Sequence, residues 1–158
     1  MFKYALLATL AVVLAFPAAA QGSPSASHSV NINVPTIRVL TLTGGDVTMS
    51  ISSVETTDTE LTFTGSSSYN MLTNGSDDKI TAVVASVPEG LSLTGTYAAP
   101  GSATGGTDVD LTTTATSVVT GLARQRANGQ SISYTATAGL DVDPGDYTFD
   151  LTYTILAN

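Results

Sequence analysis

The stretch that most constrains the fold is residues 146–155, where apolar and polar residues alternate without a break. Successive side chains of a β-strand point to opposite faces, so the alternation predicts a strand with one buried and one solvated face. The polar face carries Thr and Asp. The apolar face carries Tyr147, Phe149, Leu151, Tyr153 and Ile155. We therefore expect this aromatic ribbon to form an inner layer of a sheet.

Shorter alternating stretches recur along the chain, beginning with residues 29–34. Turn signals such as Asn74-Gly75 and Pro144-Gly145 separate them, because Gly supplies a positive φ and Pro fixes φ. No sustained period of 3.6 residues follows the amino-terminal region, so helices are not expected. The pattern predicts an all-β antiparallel sandwich of about eight or nine short strands.

Small and polar residues indicate where the connections lie. We expect loops at residues 65–68 and 98–107, and a hairpin loop at residues 124–130 around Asn128-Gly129. Residues 80–87 are apolar on both parities, which favours a central strand.

The amino terminus has the features of an export signal. Lys3 precedes an apolar run of roughly a dozen residues, and Ala18-Ala19-Ala20 offers a small-residue cleavage site. We interpret residues 1–20 as a signal peptide, residues 21–28 as a flexible leader, and residues 29–158 as a single domain. The mature protein is expected to be periplasmic, extracellular or on a bacterial cell surface, without membrane insertion.

Composition narrows the classes of partner. The chain has 13 acidic residues against five basic ones and a formal net charge of −8 at pH 7. An evenly acidic surface repels phosphate backbones and anionic membranes, which argues against nucleic acid and lipid partners. The chain has no cysteine, so neither a disulfide framework nor thiol chemistry is expected.

The sequence offers little for catalysis. The one histidine, His28, lies in the expected flexible leader, whereas a general base needs fixed geometry. No Gly-x-Ser-x-Gly nucleophile motif is present. The paired acids Asp108 and Asp110 fall on one strand face opposite apolar neighbours, which is typical of a solvated face rather than a glycosidase site. We therefore predict that the protein is not an enzyme and has no cofactor.

One acidic turn is a candidate cation site. Its oxygen ligands would come from Asp141, Asp143 and Asp146, and calcium accepts such carboxylate loops. The turn does not match an EF-hand loop, because Gly145 stands where a ligand would be needed. A hydrophilic turn without an ion is the alternative. Asn74-Gly75-Ser76 also matches the glycan acceptor pattern.

The carboxyl-terminal segments resemble a known group of proteins. The stretch from Ile132 to Ala136, a Pro-Gly turn, and the aromatic ribbon are similar to the closing strands of bacterial fimbrial subunits and spore-coat-U-type domains. The segment from Asp143 to Tyr147 also resembles the turn and tyrosine before strand F of immunoglobulin-like domains. The resemblance implies an immunoglobulin-like Greek-key sandwich that lacks its last strand. It covers roughly a fifth of the chain, and the paired cysteines common in fimbrial groups are absent.

This resemblance implies a structural subunit of a surface fibre or coat that assembles by β-strand addition with copies of itself or another surface protein. Residues 29–34 would be the donor strand, inserted into a groove. The self-association residues would be Val30, Ile32 and Val34 on the donor, and Tyr147, Phe149, Leu151 and Tyr153 in the groove. Two alternatives stay open: residues 29–34 could be the first strand of a complete sandwich, or loops 98–107 and 124–130 could bind a glycan or protein, with or without calcium.

Overall fold

The computed structural model of the chain describes residues 26–51 and 54–158. The chain splits into two compact units, Met1–Asn33 and Val34–Asn158. The described part of the first unit, residues 26–33, is exposed and forms no strand. The expected signal peptide, residues 1–20, lies outside the described residues. No helix in the described part of the chain is long and apolar enough to cross a membrane.

The second unit contains two antiparallel sheets, and no helix is found among its described residues. The first sheet has the strand order β1-β3-β9-β5-β7, and β2 also pairs with β3. Its strands are β1 (Arg38–Thr43), β2 (Ser50–Ile51), β3 (Glu60–Thr73), β5 (Leu91–Tyr97), β7 (Val109–Asp110) and β9 (Gln125–Gly139).

The second sheet has the strand order β10-β4-β8-β6. Its strands are β4 (Asp78–Val84), β6 (Thr104–Gly105), β8 (Thr116–Leu122) and β10 (Leu151–Ala157). β4 lies between β10 and β8, which confirms the central strand that continuous apolarity predicted near residues 80–87. The prediction of an all-β fold of antiparallel sheets is therefore confirmed.

Both sheets contribute alternate residues to one hydrophobic core. The first sheet supplies Tyr69, Met71, Leu93, Tyr97, Ile132 and Tyr134. The second supplies Ile80, Ala82, Val84, Val118, Val119 and Leu122. Tyr134 fits on the inner face because its cross-strand neighbours on both sides are glycines, Gly65 on β3 and Gly95 on β5. A Cβ at Gly95 would lie 2.6 Å from the Tyr97 hydroxyl, so the absence of a side chain there leaves room for the tyrosine rings.

Two of the predicted loops are wrong because strand pairing overrides local composition. Residues 65–68 lie inside β3, which pairs with β9 along one side and with β1 and β2 along the other. Residues 124–130 form no hairpin loop either. β8 ends at Leu122 in one sheet, Arg124 has a positive φ of 37°, and β9 begins in the other sheet.

The Asn128-Gly129 pair forms a bulge within β9 instead of a turn. The register shifts there, because Tyr69 pairs with Gln130 and Met71 with Ala127. Gly129 has a φ of 63°, and its N–H donates a 2.8 Å hydrogen bond to the side chain of Asn70. A glycine at positive φ is the residue that such a bulge requires.

Residues 98–107 also differ from the predicted exposed loop, because they help to close one edge of the sandwich. Gly106 joins the two sheets: its carbonyl accepts from Tyr97 N–H at 2.9 Å, and its N–H donates to the Val118 carbonyl at 2.8 Å. β6 and β7 flank this link, and Leu111 just beyond is buried. We call this the closed edge.

Candidate functional site

The opposite edge of the sandwich is open. β1 ends the first sheet and β10 ends the second, and no described strand pairs with the free side of either. β10 bonds to β4 along its whole length, and the Asp150 carbonyl and the Asn158 N–H extend this pairing beyond the strand. The free side of β10 therefore presents backbone groups that another strand could pair with. We call β1 and β10 together the open edge.

One inward-facing apolar side chain, that of Leu42, is exposed at this edge. Leu42 on β1 lies opposite Tyr69 on β3, so both point to the same face of the sheet. Tyr69 is 2% exposed, whereas Leu42 is 45% exposed. A side chain on the core face with so much exposed surface lacks a layer above it. The exposure of Leu42 therefore marks where the core of the described residues is open to solvent.

A narrow apolar groove lies under this edge. It contains about 10 Å³ of free volume, close to the space of one water molecule. Residues from β1, β10 and the core between them line it: Leu40, Leu42, Tyr69, Ile80, Tyr97, Val119, Ile132 and Tyr153. The groove is too small for a small-molecule substrate, but its open side could accept side chains from an added strand.

Three tyrosine hydroxyls meet beside the groove. Tyr153 on β10 lies 3.1 Å from the hydroxyl of Tyr97 and 2.8 Å from that of Tyr134, both from the first sheet. Tyr97 and Tyr153 also pack edge to face, with ring centroids 6.1 Å apart. These bonds tie the last strand to the opposite sheet, since buried hydroxyls without partners would be costly.

Burial perturbs the acidity of these phenols. Desolvation raises the pKa of Tyr97, Tyr134 and Tyr153 above the ordinary value, and the neighbouring tyrosines raise that of Tyr153 further. Desolvation also raises the pKa of Tyr69 to about 12. Its hydroxyl donates to the Ala98 carbonyl at 2.7 Å. The phenols therefore act as neutral structural groups near pH 7.

An ion pair joins the two sheets at one end of the open edge. Arg38 at the start of β1 donates from Nε at 3.0 Å and from Nη2 at 2.8 Å to the same oxygen of Asp78, the first residue of β4. Thr73 donates its hydroxyl to the other oxygen of Asp78. Asp78 is 1% exposed. The hydrogen bonds from Arg38, which outweigh desolvation, hold the pKa of Asp78 below its usual value.

The residues before β1 are held by the side chain of Asn74, in an arrangement we call the Asn74 clasp. Asn74 Oδ1 accepts from the Ile37 N–H at 2.7 Å, and Asn74 Nδ2 donates to the Pro35 carbonyl at 2.7 Å. The Asn74 N–H also donates to the Ile37 carbonyl at 3.2 Å. Because the side-chain amide is used in two bonds, a glycan on Asn74 would require the clasp to open.

The clasp lies at the end of the open edge where β10 ends. A cavity of about 310 Å³ opens there, lined by Val34, Pro35, Thr36, Arg38, Ala157 and residues 74–78. Val34 is 72% exposed at this point. The chain that precedes β1 therefore leaves the second unit beside the carboxyl end of β10.

The predicted groove residues divide into two groups. Phe149, Leu151 and Tyr153 pack against the core. Tyr147 is 43% exposed, and its hydroxyl donates to the Asp143 carbonyl at 2.7 Å. The predicted donor residues Val30 and Ile32 are 73% and 81% exposed and belong to the first unit.

The candidate calcium ligands Asp141, Asp143 and Asp146 do not come together. Among residues 26–51 and 54–158, no group of three potential metal-ligating side chains converges.

Sequence reasoning missed Leu40 and Leu42 as groove residues, and it missed the Asp78 pair. The leucines follow a proline, and Leu40 comes directly after the apolar Val39, so alternation did not assign the leucines to one face. Arg38 and Asp78 are 40 positions apart, and nothing local couples them. The sequence marks Asn74 only as a turn residue and as part of a glycan acceptor pattern.

Comparison of the sequence with protein-family models gives no match, and comparison with curated proteins gives none. The open edge is therefore the feature of this chain that points to a function.

Proposed function

We propose that the chain is an exported structural subunit of a cell-surface fibre or coat, and that its copies join by adding a β-strand to the open edge. The observation that carries this proposal is the exposure of Leu42, an inward-facing side chain of an edge strand. An edge with exposed core side chains and unpaired backbone groups is a site for strand addition.

The strand order supports an incomplete immunoglobulin-like sandwich. Immunoglobulin-like domains order strands A-B-E-D in one sheet and place C, F and G in the other. In chain order, β1, β3, β4, β5, β9 and β10 correspond to A, B, C, D, E and F, and the pairing of these six strands agrees with that scheme. β8, which pairs with β4 and comes between β5 and β9, has no counterpart in it. Strand G would lie on the free side of β10. The bond from Tyr147 to the Asp143 carbonyl also matches the tyrosine corner before strand F.

The chain contains a segment with the chemistry to fill that place. Val30, Ile32 and Val34 alternate with Ser29, Asn31 and Asn33, so an extended segment would present one apolar face. β10 has seven residues, and residues 29–34 provide nearly that length. Burial of each apolar side chain would contribute about 1.5–3 kcal/mol, before the cost of ordering the segment.

Removal of the donor tests the proposal. The mature protein, residues 21–158, should form assemblies that persist in mild detergent and dissociate on heating, and deletion of residues 21–34 should leave a folded monomer. Size-exclusion chromatography with light scattering, before and after heating, measures the difference. Assembly of the truncated protein at the level of the intact chain would rule out this mechanism.

A matched pair of substitution variants separates the apolar face from the length of the segment. V30T/I32T/V34T keeps β-branched side chains but makes the inserted face polar, and should reduce assembly several-fold. N31T/N33T changes only the opposite face and should assemble normally. Equal assembly by both variants would contradict insertion of the apolar face.

A further inference from the structure

We propose that Asn74 is a positioning residue that commits residues 29–34 to the groove of a second copy of this chain. The inference rests on the proposed function and decides between two uses of the donor. The segment could fold back into its own groove, or it could enter the groove of another molecule.

Folding back requires a reversal in a short span. β1 begins at Arg38 beside Ala157, the last residue of β10, because both line the same cavity. Residues 29–34 precede β1, so to lie between β1 and β10 of the same copy the chain would have to turn back between Val34 and Arg38. The three residues between them are enough for a hairpin turn only if their backbone is free to bend.

Those residues are not free to bend. Val34 precedes a proline, which confines it to extended conformations, and Pro35 has a fixed φ. The two bonds of the Asn74 side chain hold the Pro35 carbonyl and the Ile37 N–H, and the Asn74 N–H holds the Ile37 carbonyl. Residues 35–37 therefore continue the line of β1 on its amino-terminal side.

A reversal would then have to fall within residues 31–33. Ile32 would then lie in the turn itself, and Val34 would come after the turn, on the β1 side. The donor would lose two of its three apolar side chains. A second copy imposes no such reversal and can receive the whole segment. The hydrogen bonds that hold residues 35–37 thus favour insertion of residues 29–34 into a second molecule.

Two changes to the mature protein relieve this restraint by different means. N74A removes the clasp. Insertion of Gly-Ser-Gly-Ser between Val34 and Pro35 lengthens the connection between residues 29–34 and β1 and leaves Asn74 unchanged. Both variants should move a several-fold larger share of the protein into monomers that fill their own groove. N128A is the control, since it alters the other Asn-Gly pair, on the exposed bulge of β9.

A monomer whose own residues 29–34 fill its groove can be recognised by its Tm. Adding I32T to either monomeric variant should lower its Tm, because the donor side chain occupies the groove of the same molecule. If N74A and the insertion variant both assemble like the intact chain and N128A, the inference is wrong while the proposed function stands. If N74A does not fold, the insertion variant decides alone. If the intact chain never assembles, the proposed function fails and the inference fails with it.

Discussion

Replacement of Asp78 should reduce the stability of the fold even when the new side chain has the same shape. D78N keeps the volume but removes the charge that Arg38 faces in a site only 1% exposed. We expect a loss of about 1–3 kcal/mol in the free energy of unfolding at pH 7, since Arg38 is 30% exposed and can turn to solvent. Urea denaturation of D78N against D77N, which alters the exposed neighbour, measures this loss.

The same residue predicts a pH dependence. The pKa of Asp78 is lowered in the folded protein, so its contribution is complete above the unfolded value of about 3.9 and is lost as pH falls below that value. The stability difference between the intact chain and D78N should therefore shrink between pH 5 and the lowest pH at which both fold. A difference that stays constant across this range would show that Asp78 acts through its shape alone.

The buried phenols predict a loss of folding stability at high pH. Tyr69, Tyr97, Tyr134 and Tyr153 have raised pKa values, so the folded state holds their protons more tightly than the unfolded state. Their contribution is complete below the ordinary tyrosine pKa of about 10 and is lost as pH rises above it. Absorbance at 295 nm should show these phenols ionising together with unfolding. Ionisation of these four phenols near pH 10, with the native circular dichroism retained, would contradict their burial.

The two edges of the sandwich differ in how their elements are joined. At the closed edge, Gly105 lies so near the carbonyl of Tyr97 that a Cβ would clash with backbone. G105A should therefore force β5 and β6 apart and cost about 1–3 kcal/mol, as overpacking typically does. G145A is the control, because a Cβ there meets only ordinary contacts near 4 Å. Equal thermal stability of the two variants would show that the closed edge can shift to make room for the added Cβ.

Elements were predictable where one face of a strand is buried and the other solvated. Of the strand predicted at residues 146–155, residues 151–155 lie in β10 with a half-buried inner face, whereas residues 146–150 precede β10 and form no strand. β4 has the central place that its apolarity predicted. The glycine and serines of residues 65–68 hid the middle of β3, because its pairing with neighbouring strands is decided by tertiary structure. Asn128-Gly129 has the composition of a turn, and only the register of β3 against β9 shows it to be a bulge.

The open edge itself was foreseen only on one side. The ribbon predicted that β10 would line a groove, whereas the role of β1 depends on its partner strand. Leu42 could be assigned to the inner face only through its register with Tyr69. The Asn74 clasp joins residues 37 positions apart, so local sequence could not reveal it.

At the scale of the whole molecule, strand addition makes the groove a site for which a free peptide can compete. A synthetic peptide with the sequence of residues 26–36 carries the donor but no domain, so its insertion should end a growing fibre. Added while the denatured mature protein refolds, it should shorten the assemblies in a dose-dependent way.

A peptide of the same composition, reordered so that Val30, Ile32 and Val34 no longer share a face, is the matched control. It has equal hydrophobicity but cannot place three apolar side chains on one side of an extended strand. Light scattering during refolding gives the assembly length with each peptide. If both peptides act equally, the effect is nonspecific. If neither acts although deletion of residues 21–34 abolishes assembly, those residues work by a route other than the groove, because a peptide that fits the groove would have to compete there.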